Sequence, residues 1–561
     1  MRARRRSFLA LGGLLLLAAC AGKPPPVLSP APDEDTFNSH LRSLSSGEFA
    51  GRRPGTPGED RTVAYLLDQF HRLGLKPVNG REFVQSVPLD ELHLAGPGAV
   101  TLRAAHGSMT LTPAVDVALW TRRSAAVVDV ANSPVVFVGH GIVAPEYGWD
   151  DYAGLDVRGK TVIILPRDPG FFADGRSLFR GDQQSGYGRA AYKFAEAARR
   201  GAVAALILHD EAASGLPWEA LQASTDGRWL ELSEAEGPVD HLTVQGWIRE
   251  DAARRLLGLA GQDAASLFAA ASRQGFLPRT LPISAELRDA VEVRHLASVN
   301  LAAMIPGSGR GREYVVYLAH WDHLGTRLEQ GTEKILPGAI DNASGVAALL
   351  TLAQSFTRSP APPRSLVFLF TTAGEWEAQG SAWYVRHPLL PLRNTVAVID
   401  IEQAHIGGPT RDLEVVGLGG SDLDAIVRVS AILQGRELRG EVRPELGGFY
   451  ESDAYPFARA GVPVMIARAG IDDSARGPAF GQAQRDDFRR HRRHQVQDAW
   501  SADWDLRGTM QDLALYYDLG ARLAHDWRFP NWAPRSEFRA AREAQRPAEG
   551  REPGGVSPPS P

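Results

Sequence analysis

Between about Val291 and Arg528 the chain alternates unbroken apolar runs with segments of helical spacing, and that alternation admits few architectures. Tyr314-Val315-Val316-Tyr317-Leu318 has no charged position, as expected of a strand covered on both faces. Asn342 to Phe356 follows, with Val346, Leu349, Leu350 and Ala353 at helical intervals. Further strand runs lie at Leu366 to Phe370, Val396 to Ile401, Leu413 to Val416 and Val462 to Ala467. This order predicts an α/β fold, a mixed, mostly parallel sheet sandwiched by helices. Sheets of that kind carry their functional residues just past the C-terminal ends of the strands.

Polar residues fall where that rule expects them. The first strand ends in Ala319-His320-Trp321-Asp322-His323-Leu324-Gly325, and Asp341-Asn342-Ala343-Ser344-Gly345 opens the following helix. The run at 366–370 leads into Thr371-Thr372-Ala373-Gly374-Glu375-Trp376-Glu377-Ala378-Gln379-Gly380-Ser381, the run at 396–401 into Glu402, and a late loop offers His491 and His494. One His or Asp at a strand end is usually a cap, but several converging on one edge of a sheet form a donor set. Zinc accepts imidazole nitrogen and carboxylate oxygen. A pair of zincs about 3.5–4 Å apart requires a carboxylate bridge.

With these motifs in place, residues from about 290 to 530 resemble metallopeptidase family twenty-eight, the zinc aminopeptidases. The resemblance implies a zinc-exopeptidase fold holding two Zn2+. It implies that His320 and Glu402 serve one metal, Glu375 and His494 the other, and Asp341 bridges them. Asp322 would orient His320, and His323 and His491 would be loop residues or sit behind the ligands. Two departures stand out. Glu402 falls where the family has Asp, and Gly374 falls where the family has the glutamate that acts as general base. Loss of a positioned base forfeits about 10²–10⁴ in rate. Glu377, three residues on, is the candidate substitute base, against the plainer reading of a solvated carboxylate at a helix start. Gly447-Gly448-Phe449-Tyr450-Glu451-Ser452-Asp453 resembles a loop lining the specificity pocket, which makes Tyr450 and Asp453 candidate substrate contacts. Arg489, Arg490, Arg492 and Arg493 beside His494 would attract an acidic side chain or a free peptide carboxylate.

The function this implies is a two-zinc exopeptidase, an aminopeptidase removing N-terminal residues from short peptides, with activity reduced by Gly374. The alternative is a catalytically inactive metal- or peptide-binding lipoprotein of the same fold. A different hydrolase or transferase using the same metals is a third reading.

The rest of the chain frames this core. At 561 residues several domains are expected. The hydrophobic fraction of 44% with 23% charged residues is that of a globular protein, and a net charge of −5 argues against a nucleic-acid partner. Arg2-Ala3-Arg4-Arg5-Arg6 and the apolar run Phe8 to Ala19 read as an export signal at 1–20, too short to span a bilayer as a helix. It ends in Leu17-Ala18-Ala19-Cys20, which resembles a bacterial lipoprotein signal. Cys20, the only cysteine, would carry the lipid that anchors the protein to the membrane, expected to be the outer membrane facing the periplasm. Residues 21–35 read as a Pro-rich tether, 36–124 as the N-terminal part of the peptidase domain, and 286–535 as its catalytic part. Between them, β runs at 134–139, 160–165 and 203–208 around a helix near 190–200 resemble an inserted, β-rich protease-associated domain at 125–285. Residues 536–561 read as a disordered tail.

Overall fold

A computed structural model describes residues 31–546 apart from 79, 97, 173–177, 182, 226–227 and 234–240. The expected signal, Cys20 and most of the tether lie outside the described residues, as does the tail beyond 546.

The central sheet carries the strand runs read from the sequence. Arg310–His320 lies between Arg364–Thr371 and Thr395–Asp400, parallel to both, and Thr395–Asp400 pairs in parallel with Val464–Ala469. Asp412–Val416 closes that side antiparallel, and Glu437–Arg439 lies parallel beyond it. Every residue of Arg364–Thr371 and Thr395–Asp400 is buried, which is why these strands read as continuous rather than alternating. Helix Ser344–Thr357 packs on one face with Val346, Leu349, Leu350 and Ala353 in the core, and helices Glu34–Leu44 and Arg507–His525 join it there.

A second sheet is built on one long strand, Arg279–Ile305. Its first half pairs antiparallel with Val127–Phe137 and Val100–Ala104, and its second half with Val84–Leu94 and then Arg364–Thr371 in the central sheet. Leu281, Ile283, Ala285 and Leu287 point into the second core while Glu286 and Arg288 point out, the period-2 signature of a half-buried strand. The expected division between 285 and 286 therefore falls inside a continuous strand. The expected start at 125 differs too: Val100–Ala104, Gly107–Leu111 and Val117–Trp120 already belong to the second sheet, where Val117–Trp120 pairs with Val244–Arg249. In the reverse direction, Arg228–Leu232 leaves the inserted segment to pair with Val84–Leu94. The expected tail also differs. Helix Arg539–Gln545 is ordered because Arg542 is buried and donates to the Thr395 carbonyl at 3.0 Å, while Trp532 and Phe538 stack nearby. Among the described residues no helix is long and apolar enough to cross a membrane.

Candidate metal centre and its cavity

The loops that leave the parallel strands at their C-terminal ends meet in one place. His320 closes Arg310–His320, Asp341 lies in the turn opening helix Ser344–Thr357, and Glu375 lies in the turn after Arg364–Thr371. His494 follows helix Pro478–His491 with φ +60°. Asp341, Glu375 and His494 bring one ligand atom each to within 4.8 Å of one another. His494 Nε2 is 3.1 Å from Glu375 Oε2 and 3.6 Å from Asp341 Oδ2, and His320 Nε2 is 3.6 Å from the other oxygen, Asp341 Oδ1. Asp341 therefore stands between the two imidazoles.

Neighbouring groups fix these side chains. The Asp322 carboxylate accepts from the Gly374 amide at 2.9 Å and the Glu375 amide at 3.4 Å, tying the Glu375 turn to the His320 loop. His320 Nδ1 lies 3.2 Å from the Asp322 carbonyl and 3.6 Å from Asp322 Oδ1, so the backbone carbonyl is its nearer partner. His323 Nδ1 lies 2.5 Å from Glu375 Oε1 and orients that carboxylate. Asp498 accepts from the amides of Ile340 and Asp341, and Asp341 Oδ2 takes Gln403 Nε2 at 3.0 Å and Arg493 Nε at 3.3 Å. Asp498 escapes a sequence reading because it lies at no strand end, and Gln403, next to Glu402, because an amide is not a typical zinc donor.

The electrostatics follow from burial. Burial works against the charged ring of His320, but the Asp322 and Asp341 carboxylates beside it outweigh that and raise its pKa well above the usual histidine value. His494, likewise buried, is raised to about 9 by Glu375 and Asp341. Burial opposes ionisation of Asp341, yet both imidazoles and Arg493 hold it well below the normal carboxylate range. Acids and imidazoles thus satisfy one another here, and the same atoms form an imidazole–carboxylate donor set that fits zinc.

Glu402 stands apart from the Asp341–Glu375–His494 group. Its Oε1 accepts from the Asp453 amide at 2.9 Å. Asp400, two residues back along the strand, is fully buried and accepts from the Ala454 amide at 3.1 Å. Glu377 is drawn away as well: Arg122 Nη1 holds its Oε2 at 2.8 Å, and the same guanidinium grips Glu231. It lines the cavity as an ion-pair partner of the inserted segment. Tyr450 faces an aromatic cluster with Phe449, Tyr455 and Phe538 and donates to Glu537 at 3.0 Å, so its hydroxyl is spent on the fold and does not line the cavity. Glu451 and Gly448 of that loop do line it. Asp453 lies behind Gly374. A Cβ at residue 374 would be 2.9 Å from Asp453 Oδ2, the closest carboxylate oxygen to that point, and this oxygen is buried without a partner. Burial, with Glu402 and Asp322 adding to it and His320 opposing, raises the Asp453 carboxyl to about 7. His491 is exposed and paired with Asp487.

The centre opens into a cavity of ≈ 910 Å³, within the range of ligand-sized clefts. Gly374, Glu375, Glu402 and His494 line one part of it, and Trp120, Arg167, Lys193, Trp229 and Trp247 line another. Cys20 lies outside the described residues.

A parallel-sheet core with buried imidazoles and carboxylates gathered near its strand ends defines the class, an α/β protein with a candidate metal centre. Residues 300–518 match the model of peptidase family M28. Among solved structures, the chain is similar to an aminopeptidase from Aneurinibacillus sp. strain AM-1 at 19% identity and a TM-score of 0.49, covering 89% of this chain and 96% of that one. It is also similar to BSAP, a zinc aminopeptidase from Bacillus subtilis, at 16% identity, TM-score 0.44, and coverage of 90% and 97%. A peptidase M28 precursor from Shewanella amazonensis SB2B matches at 16% identity, TM-score 0.43, and coverage of 90% and 99%. No curated protein matches the chain.

Proposed function

We propose that the protein is a zinc-dependent exopeptidase that removes N-terminal residues from short peptides. In this reading Asp341, Glu375 and His494 hold one zinc, while His320 with Asp341 and Glu402 holds a second. The observation that carries it is the convergence of His320, Asp341, Glu375 and His494 on one cavity edge, with Asp341 between the two imidazoles. Bound zinc would supply a water of pKa about 7 and polarise the peptide carbonyl. The chain's own residues do the rest. His323 and Asp322 hold Glu375 and its turn in position. The enclosing walls, with the inserted segment forming one of them, exclude folded chains and admit short peptides.

Proton handling falls to Asp453 rather than Glu377. Asp453 Oδ2 has no partner and lies beside the His320 ring where a residue-374 side chain would start, so it would act on the site through His320 rather than from the cavity wall. Glu377 is neutralised by Arg122. The test compares the zinc-loaded protein with Asp453→Asn and Glu377→Gln on aminoacyl and peptide substrates, with metal content counted in each. Asp453→Asn is expected to lower kcat by about 10²–10⁴ while retaining the metal, and Glu377→Gln to change it by less than about tenfold. A protein that binds zinc yet cuts no peptide would overturn the enzymatic reading in favour of a metal- or peptide-binding role. The Cys20 lipid anchor and envelope location remain part of this proposal, and mass analysis of the mature N-terminus tests them.

A further inference from the structure

Arg167 comes from the inserted segment and lines the same cavity as Gly374 and Glu375, yet the centre does not use it. It is 6% exposed, and among the described residues no carboxylate or carbonyl lies within hydrogen-bond reach of its guanidinium. The Phe171 ring lies 5.9 Å from its Cζ. An arginine that deep is normally paired, because burying an uncompensated cation costs several kcal/mol. Burial draws the Arg167 pKa down to about 10, with Glu451 and Glu445 opposing at a distance and Arg443 adding to the fall.

The backbone that presents this side chain is held firmly. The Arg167 carbonyl takes Lys193 Nζ at 2.6 Å and His140 Nδ1 at 3.1 Å, and Lys193 is itself fully buried. Residue 167 has φ +56°, and the next residue, Asp168, accepts from the Ser185 amide and hydroxyl at 2.9 and 2.6 Å. The backbone from which the side chain enters the cavity is therefore fixed.

More cations line the wall toward the metal centre. Arg489 is depressed by burial first and then by the charges of Arg443, Arg493 and Arg468, with only Asp486 opposing them. Arg443 is held by Glu445, Arg489 Nη1 lies 3.1 Å from Asp486 Oδ1, and Arg493 lies at Asp341. Among the described arginines that line the cavity, Arg167 is the one left without a carboxylate partner. A buried guanidinium of that kind is satisfied by an anion, and its fork matches a carboxylate.

We propose that Arg167 forms a subsite that takes a carboxylate of the peptide substrate, so that the enzyme selects short peptides bearing a negative charge beyond the scissile bond. This rests on the exopeptidase reading above and deepens it. The carboxylate is either the free C-terminus of a short peptide or an Asp/Glu side chain.

The experiment uses the zinc-loaded full chain and tripeptides whose first peptide bond is N-methylated to resist cleavage. Three probes separate the sources: a neutral tripeptide with a free C-terminus, its C-terminal amide, and an amide carrying Glu. Binding is measured by calorimetry for wild type, Arg167→Gln and Arg167→Lys, with thermal melts confirming that each variant is folded. One or both carboxylate probes should bind about 10- to 100-fold tighter than the neutral amide. Arg167→Gln should erase that margin and leave the neutral amide's affinity unchanged, while Arg167→Lys restores part of it. Preference for the free C-terminus assigns the subsite to the peptide end, and preference for the Glu amide assigns it to a side chain. Equal affinity for all three probes, or equal losses across them in Arg167→Gln, overturns the proposal. Because the probes are not cut, this result stands whether or not the protein hydrolyses peptides, and parallel turnover of unmethylated peptides reports on the exopeptidase reading separately.

Discussion

At Gly374 the absence of a side chain bears directly on the candidate site. A Cβ there would stand 2.4 Å from His320 Cγ and 2.5 Å from His320 Cβ, nearer than non-bonded carbons approach. The His320 ring therefore lies in space that a larger residue would claim, and Asp453 closes the same space from its other side. Restoring a glutamate at 374 consequently moves His320 as well as adding a carboxylate. We expect Gly374→Ala, which adds only the methyl, to destabilise the fold by about 1–3 kcal/mol through overpacking. It should also weaken metal binding by displacing His320. Urea melts and zinc titration check both effects, and unchanged metal stoichiometry and midpoint would mean that the ring swings aside freely.

At the scale of elements, the ligand loops are held in register by a residue far from any motif. Arg52 closes the turn Gly47–Arg52 and is fully buried. Its guanidinium donates to the carbonyls of Leu44 (2.8 Å), Trp321 (2.9 Å), Pro337 (2.8 Å) and Gly338 (2.9 Å). It thus joins the end of helix Glu34–Leu44 to the His320 loop and to the turn before Asp341. Burial pulls its pKa down to about 10 while Asp322, Asp498, Glu375 and Asp341 resist the fall, so it is also a cation placed beneath the acidic centre. Gly51 before it has φ +68°, and a Cβ there would meet the Gly325 carbonyl at 2.2 Å, which lets the turn sit directly on the His320 loop. Arg52→Met leaves four carbonyls without their donor and several buried acids without a counter-charge. We expect a loss of about 3–5 kcal/mol, with metal affinity falling in parallel. Arg52→Lys, with one ammonium for four acceptors, should lie between. A variant as stable as wild type would show that water replaces the guanidinium.

For the whole molecule, two cores are joined by one strand, Arg279–Ile305, and each core buries a histidine that the centre does not use. His40 on helix Glu34–Leu44 is lowered by burial to about 4. His140 in the inserted region is lowered to about 3, by burial first and by Lys193 second. Both folded-state values lie below the ordinary 6.5, so the unfolded chain binds more protons as the pH falls below 6.5. Their contribution is fully present above pH 6.5 and is lost as the pH falls toward 4 for His40 and 3 for His140, at about 1.4 kcal/mol per histidine per pH unit. Urea midpoints of wild type and His40→Gln from pH 7.5 to 4.5 isolate one of them. The variant should lose less stability over that range, and parallel curves would show that His40 is protonated without cost.

The sequence by itself determined the core. Continuous apolar runs specified buried parallel strands and helical spacing specified Ser344–Thr357, because strand and helix periodicities fix locally where a side chain points, and polar residues next to those elements pointed to His320, Asp341 and Glu375. It also singled out Gly374 and Glu377. Only the tertiary structure decided what surrounds them. Arg122, 255 residues away in the chain, removes Glu377 from contention, and Asp453 arrives at Gly374 from another loop. Tyr450 is claimed by aromatic neighbours, residues 539–545 are ordered by the buried Arg542, and the two sheets share a strand that local pattern divides. Arg167 gains its place in the cavity through Lys193 and His140. These outcomes depend on charge pairing and close packing between segments distant in the chain, and no spacing along the sequence encodes which distant partner wins.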